Sequence, residues 1–532
     1  MTQNLRRILQ LILIIIMVMQ IGCKDKYSDG ETVQNAQEET LYRPNFHFTP
    51  KANWMNDPNG MFYLNGTYHL YFQYYPDGNV WGPMHWGHAT SKDLITWEEQ
   101  PIALYPDDLG LIFSGSAVVD KNNTSGFGKD GTAPVIAMFT YHNMDGEQRG
   151  DIDFQTQGIA FSLDEGMTWT KYNGNPVISN PGIKDFRDPK VYWHAETQRW
   201  VMVLAAGQKV MFYSSPNLKD WTFESEFGEG LGSHDGVWEC PDLVPMKVKN
   251  TNETTKWVLL VSINPSGPNG GSATQYFVGD FDGRTFTIDD TFRTQLRQNK
   301  VAWMDYGRDN YAGVTWSNLP ESDKDPILIG WMSNWDYARD VPTYKWRSTM
   351  TIPRALQLKK QESQYILKSL PVKNLSKFVS RHIEKDTLSI DGFNALLKTE
   401  SLAFDKLDMT LELNNLKEDT YSFDFFNTVG DTLSLGLNNT ENYFFLDRRK
   451  SGKIDFSETF APHISKAKLN NKLNTLKIRL LLDKTSIEVF YDDGELVMTE
   501  LFFPNEPLES LQLHSEDETF SIRNLNIKEL KF

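Results

Sequence analysis

Three carboxylates in this chain stand in similar, unusual strings. Asp57 lies in Trp54-Met55-Asn56-Asp57-Pro58-Asn59-Gly60, Asp188 in Phe186-Arg187-Asp188-Pro189, and Glu239 in Trp238-Glu239-Cys240-Pro241-Asp242. A proline fixes its own φ and restricts the residue before it to extended backbone, so Asp57 and Asp188 are expected at strand ends. Asn59-Gly60 favours a tight turn just beyond Asp57. Arg187 is expected to keep Asp188 ionised, whereas Trp238 and Cys240 are expected to desolvate Glu239 and favour its protonated form. Taken singly, each string reads equally well as a turn or a structural ion pair. Together they offer a carboxylate and a carboxylic acid, the minimum set for cleaving a glycosidic bond. The 15 Trp and 21 Tyr supply flat apolar faces on which sugar rings can rest.

Such residues can meet only if the chain brings separate segments to one axis, and its repeats suggest how. From residue 42 onward, short β-rich runs alternate with Gly, Pro, Asn and Asp, and long amphipathic helices are missing. Ser91-Lys92-Asp93-Leu94-Ile95-Thr96-Trp97 matches Ser215-Pro216-Asn217-Leu218-Lys219-Asp220-Trp221 in spacing. Ser162–Trp169 is one residue longer, and Asp282–Phe286 is a degenerate copy. The terminal aromatics recur at steps of about 63 residues, so residues 42–355 hold five such units, each long enough for a four-stranded propeller blade. Blades converge on a central axis, which lets carboxylates from three repeats face one funnel. The alternative is a β-sandwich with coincidental turn signals.

After Trp346 no tryptophan occurs. Leu407–Leu413 alternates apolar and polar residues, and Ser486–Tyr491 turns at Asp493-Gly494 into Leu496-Val497-Met498. Residues 375–532 are therefore expected to form a β-sandwich, with 356–374 as a connector.

The N-terminus reads as an address. Arg6 and Arg7 precede an apolar run, Leu11–Met19, too short to span a bilayer and followed by Ile21-Gly22-Cys23. Residues 1–23 resemble a bacterial lipoprotein signal with Cys23 as the acylated residue, although Gln20 departs from the usual Leu; an ordinary cleaved signal is the alternative. Residues 24–41 are polar and read as a flexible tether. The expected location is the cell envelope, with membrane contact only through the lipid. A net charge of −17 argues against nucleic-acid partners. Two cysteines, Cys23 and Cys240, argue against a disulfide framework or a cysteine-based zinc site.

The strings around Asp57, Asp188 and Glu239 together resemble the signature motifs of glycoside hydrolase family 32, the invertases, inulinases and levanases. Phe113-Ser114-Gly115-Ser116, Trp81-Gly82 with His85-Trp86-Gly87-His88-Ala89, Trp331-Met332-Ser333-Asn334-Trp335 and, more weakly, Phe445-Leu446-Asp447-Arg448 match the same family in the same order. The resemblance implies an all-β chain with a five-bladed β-propeller followed by a β-sandwich. It implies Asp57 as nucleophile, Glu239 as acid/base and Asp188 as transition-state stabiliser. It places Trp54, Asn56, Gln73, Trp81, Phe113, Ser114, Arg187 and Trp335 around a fructosyl unit. It implies no metal and no cofactor, structural roles for His85, His88 and His234, and Cys240 as a packed neighbour that tunes Glu239. Leu104–Gly110 and Pro342–Arg347 are most similar to exo-acting levanases and inulinases. The expected activity is thus exo-hydrolysis of levan, inulin or sucrose with retention. An endo-levanase, a fructosyltransferase and a non-catalytic fructan-binding lipoprotein are the alternatives.

Overall fold

The computed structural model describes residues 39–251, 254–320 and 323–532. The signal and Cys23 lie outside the described residues.

The recurring seven-residue string explains how the repeats are built. In each copy the serine ends the third strand of a sheet: His85–Ser91, Gln155–Ser162 and Val210–Ser215. The following residues then turn on side-chain caps. Ser91 Oγ accepts from Leu94 N at 2.8 Å, and Asp93 Oδ1 accepts from Ile95 N and Thr96 N at 2.9 and 2.8 Å. Ser162 and Asp164 do the same for Gly166 N and Thr168 N, and Asn217 Oδ1 does so for Lys219 N and Asp220 N. In the degenerate copy Asp282 Oδ1 caps Arg284 N and Thr285 N. Short polar side chains that mimic backbone acceptors make this turn repeatable.

Each sheet is an antiparallel meander whose first strand is Asn53–Leu64, Leu111–Val119, Phe186–His194 or Val237–Lys249. Tyr311–Thr315 leads a further sheet with Ile327–Met332 and Arg354–Gln361. Successive leading strands touch one another in turn, and Tyr311–Thr315 returns to touch Asn53–Leu64, closing a propeller ring. The two-residue strand Trp346–Arg347 pairs in parallel with Asn53-Trp54.

Residues 356–374, expected as a connector, are mostly sheet. Arg354–Gln361 and Gln364–Pro371 form a hairpin whose first strand pairs with Ile327–Met332, and Lys373–Phe378 then makes a 3₁₀ turn into the second domain. The alternation Leu356, Leu358, Tyr365, Leu367, buried against solvent-facing lysines, is an amphipathic strand signal that the change in composition had masked.

The second domain is a sandwich of six- and five-stranded antiparallel sheets. Its inner faces bury one continuous apolar cluster that includes Met409, Phe423, Leu435, Leu480 and Ile522. The apolar core of the first propeller sheet runs on into sandwich residues Leu481, Phe490 and Val497, so the two domains share buried surface.

Buried charge crosses that junction. His47, just before the first strand, has both ring nitrogens on carboxylates, Nδ1 to Asp483 at 2.9 Å and Nε2 to Glu488 at 2.7 Å. Arg354 donates Nε to the same Glu488 at 2.9 Å and Nη1 to Asp305 at 3.0 Å. Burial opposes the imidazolium, but the two carboxylates outweigh it and raise His47 to about 9. The folded value lies above the ordinary 6.5, so this stabilisation is complete below about pH 6.5 and is lost as pH rises through 9. The wild-type thermal midpoint should fall across that window, by up to about 3 kcal/mol in stability. In His47→Gln that slope should be missing; an identical slope would show that His47 is not the titrating group.

Candidate active site

Every leading strand breaks its register where the candidate residues sit. Pairing skips between Met55 and Pro58, spanning Asp57, and between Ile112 and Gly115, spanning Phe113 and Ser114. It skips again between Arg187 and Lys190, spanning Asp188, between Glu239 and Asp242, spanning Cys240, and between Tyr311 and Val314. A bulge frees one residue from the ladder and re-aims its side chain. Asp188 (φ 66°) and Cys240 (φ 45°) occupy the left-handed region, which ordinary strand residues avoid. Gly115 is required at its bulge, because a Cβ there would lie 2.0 Å from Met138 O. Asn59-Gly60 makes no reversal: the strand continues to Leu64, and Gly60 uses its positive φ under the ring of Trp86. Pairing with the neighbouring strand outweighs the local turn preference there.

The three carboxyl groups come together. Asp57 Oδ2 accepts from Ser114 Oγ at 2.7 Å and from Cys240 Sγ at 3.5 Å, while Asp57 Oδ1 accepts from Asn56 Nδ2 at 3.0 Å. Asp188 Oδ2 accepts from Cys240 N at 2.9 Å and Cys240 Sγ at 3.6 Å. Glu239 Oε1 accepts from Arg187 Nη2 at 2.9 Å and Nε at 3.2 Å, and its Oε2 accepts the Tyr311 hydroxyl.

The electrostatics differ from the expectation in two places. Arg187 spends its guanidinium on Glu239 and on Asp185 (2.7 Å), and stands 4.0 Å from Asp188. Burial, opposed by Arg187 and aided by the charges of Glu239 and Asp57, lifts Asp188 to about 7, above the ordinary carboxylate range that the adjacent arginine was expected to secure. The groups on the Glu239 carboxyl are Arg187 and Tyr311. Trp238 is fully buried, its Nε1 on Ser233 O and its ring against His234 and Phe277. Asp57 is also raised, by burial and then by Glu239, against the donors Asn56, Ser114 and Cys240. Burial holds the Cys240 thiol well above its ordinary range, so it stays an S–H donor shared by Asp57 and Asp188. Cys240 therefore serves those two carboxyls rather than Glu239.

Of the expected sugar contacts, Trp335 is half-buried and stacks on Trp54 at 5.9 Å and 27°. Trp54 itself is 0% exposed and lies behind, its Nε1 donating to Asn56 Oδ1 at 2.8 Å. It orients Asn56, and through it Asp57, without a free face of its own. Trp81 is half-buried, edge-on to Phe113 at 6.2 Å, and Phe113 stacks on His142 at 4.2 Å. Gln73 is buried on Thr67–Tyr75, and its Nε2 has no hydrogen-bond partner among the described residues. His88 is buried with its Nε2 3.1 Å from His69 Nδ1, and His85 bonds Pro83 O. Below the carboxyls, a buried Lys190 Nζ–Asp242 pair at 3.0 Å, with Thr315 Oγ1 also on Asp242 at 2.7 Å, ties three leading strands together.

Sequence reasoning missed Tyr311 and Asp185. No string flags Tyr311, but it opens a leading strand as Phe186 and Val237 do, so its position in the repeat was the available signal. Asp185 carried none.

Comparison with known proteins follows the same line. Residues 47–369 match the family model "Glycosyl hydrolases family 32 N-terminal domain" and 373–529 match "Glycosyl hydrolases family 32 C terminal". The chain is 45% identical over 492 residues to the levanase of Bacillus subtilis, covering 92% of this chain and 70% of that one. It is 42% identical over 491 residues to an extracellular exo-inulinase of Aspergillus niger, covering 87% and 90%. The crystal structure of exo-inulinase from Aspergillus awamori superposes with a TM-score of 0.80 at 38% identity, over 92% of this chain and 98% of that one. A β-fructofuranosidase from Schwanniomyces occidentalis complexed with fructosyl-erythritol gives 0.81 at 33%, over 93% and 98%.

Proposed function

The chain belongs to glycosyl hydrolase family 32, and we propose that it is an exported fructan β-fructosidase that removes fructose from chain ends with retention. The observation that carries the reading is the meeting of Asp57, Asp188 and Glu239 from three leading strands around Cys240 and Arg187. The kinship with a levanase and exo-inulinases supports the substrate class and the exo mode, and the extracellular relatives support export.

Asp57 is the nucleophile. Ser114, Asn56 and Cys240 each give it a hydrogen, which fixes the carboxylate's direction. It attacks the anomeric carbon of a terminal fructosyl unit while Glu239 passes its proton to the departing oxygen, so one C–O bond forms as another breaks. Glu239, now an anion beside Arg187, takes a proton from water, which attacks the ester and releases fructose. Asp188 faces the sugar hydroxyls. Arg187 stabilises Glu239 in its ionised half of the cycle, and Asn56, Gln73, Trp81, Phe113 and Trp335 enclose the ring. The successive leading strands in mutual contact support a count of five blades, with the sandwich beginning after the Gln364–Pro371 strand. Cys23 is the proposed point of lipid attachment; partitioning into detergent, lost in Cys23→Ala, checks it.

Chromatography of early products from levan and inulin tests the activity. Fructose alone is expected. A ladder of oligosaccharides would establish endo action, and fructose released with inverted anomeric configuration would overturn the double displacement.

A further inference from the structure

The Phe445–Arg448 string of the sandwich takes no part in the chemistry above, yet Arg448 is buried at the junction with all five N–H donors in use. Nε and Nη2 reach Phe460 O at 2.9 and 2.6 Å, and Nη1 reaches Asp309 Oδ2 at 2.6 Å and Leu501 O at 2.9 Å. The fifth hydrogen goes from Nη2 to the Tyr337 hydroxyl at 2.8 Å, and that hydroxyl donates to Asp309 Oδ1 at 2.6 Å.

Tyr337 belongs to the turn that carries Trp335. Tyr337 N and Ala338 N close on Asn334 O at 3.1 and 2.8 Å. The same turn is gripped once more from the sandwich, by Thr459 Oγ1 donating to Asp336 O at 2.9 Å. On the propeller side, the Trp335 ring rests on Trp54 and the Trp335 backbone N–H reaches Ser272 Oγ at 3.3 Å. A fully buried ion pair is a poor source of net stability, because desolvation consumes the Coulombic gain. What a five-donor planar fork supplies is fixed geometry.

We propose that Arg448, acting through Tyr337, is a positioning residue that sets the angle of Trp335 in the sugar pocket, so that the sandwich domain takes part in substrate binding. The proposal rests on Trp335 lining that pocket. Tyr337→Phe tests it gently, since it keeps the ring that packs edge-on to Phe460 and removes only the hydroxyl.

With a short inulin oligosaccharide as substrate, Tyr337→Phe is expected to raise KM about three- to tenfold, the loss of one charge-assisted hydrogen bond transmitted in part. The kcat should stay within about twofold. In a Trp335→Ala background the same change should add nothing to KM, because the side chain it positions is gone. Thr459→Val, at an exposed residue, should move KM in the same direction by less. An unchanged KM in both Tyr337→Phe and Thr459→Val, or a rise of equal size with and without Trp335, overturns the proposal. An unchanged KM in Trp335→Ala alone removes Trp335 from the pocket and sinks that reading together with the proposal, and is recognisable as such.

Discussion

Asp57→Asn yields a folded protein that still holds fructan but turns it over at least about 10⁴-fold more slowly, the scale on which loss of a covalent nucleophile is felt. The substitution is isosteric, and Ser114 Oγ can still donate to the amide oxygen at the place where it meets Oδ2 at 2.7 Å. The new NH₂ group must face either the Asn56 amide or the Ser114–Cys240 side, both of which now donate to Asp57. One buried donor is thus left facing another, a cost of about 1–3 kcal/mol that a two-domain protein with a shared core survives. Stopped assays on inulin, with retention on a levan-containing gel as the binding check, separate the two effects. A residual rate within about a hundredfold of wild type would mean that another group attacks the sugar.

Glu239→Gln is the second large effect. A positioned acid contributes roughly 10²–10⁴-fold, and the loss on fructans should lie in that range. On fructosyl fluoride, whose leaving group needs no proton, the first step should be nearly spared. Arg187 can still donate to the amide oxygen, and the Tyr311 hydroxyl, which meets the other terminal atom, can turn to accept from the new NH₂, so the side chain should keep its place. Equal losses on the two substrates would remove Glu239 from the acid role and leave it as a partner of Arg187.

The legible parts of the fold were those written in short strings. The capping turn could be read because its serine, its Asp or Asn and its terminal aromatic each have a local job. The carboxylates could be found because proline marks them. The strand bulges could not be read, since a break in register belongs to two strands at once: nothing in Asn59-Gly60 says that the neighbouring strand will carry the backbone straight on. The ionisation pattern failed for a similar reason. Adjacency in the chain put Arg187 with Asp188, but the bulge at Asp188 re-aims its carboxyl onto Cys240, and the guanidinium, 4.0 Å away, gives its hydrogen bonds to Asp185 and to Glu239, 52 positions later. The Arg354–Pro371 hairpin was hidden because composition shifts before the propeller's last sheet is complete.

The parallel pairing of Asn53-Trp54 with Trp346-Arg347, and the reach of His47 to Asp483 and Glu488 across 436 and 441 positions, set an order of events. Made from the N-terminus, the strand that carries Asp57 finds its hairpin partner within a few residues but waits until Trp346-Arg347 has been made before its other edge is covered. Local meanders can form early, whereas ring closure is a contact of high sequence separation and comes late. Glu239 and Tyr311 reach Asp57 only on that closure. A nascent or translocating chain is therefore without hydrolytic activity until its last propeller sheet arrives, and the timing of activity is built into the connectivity itself.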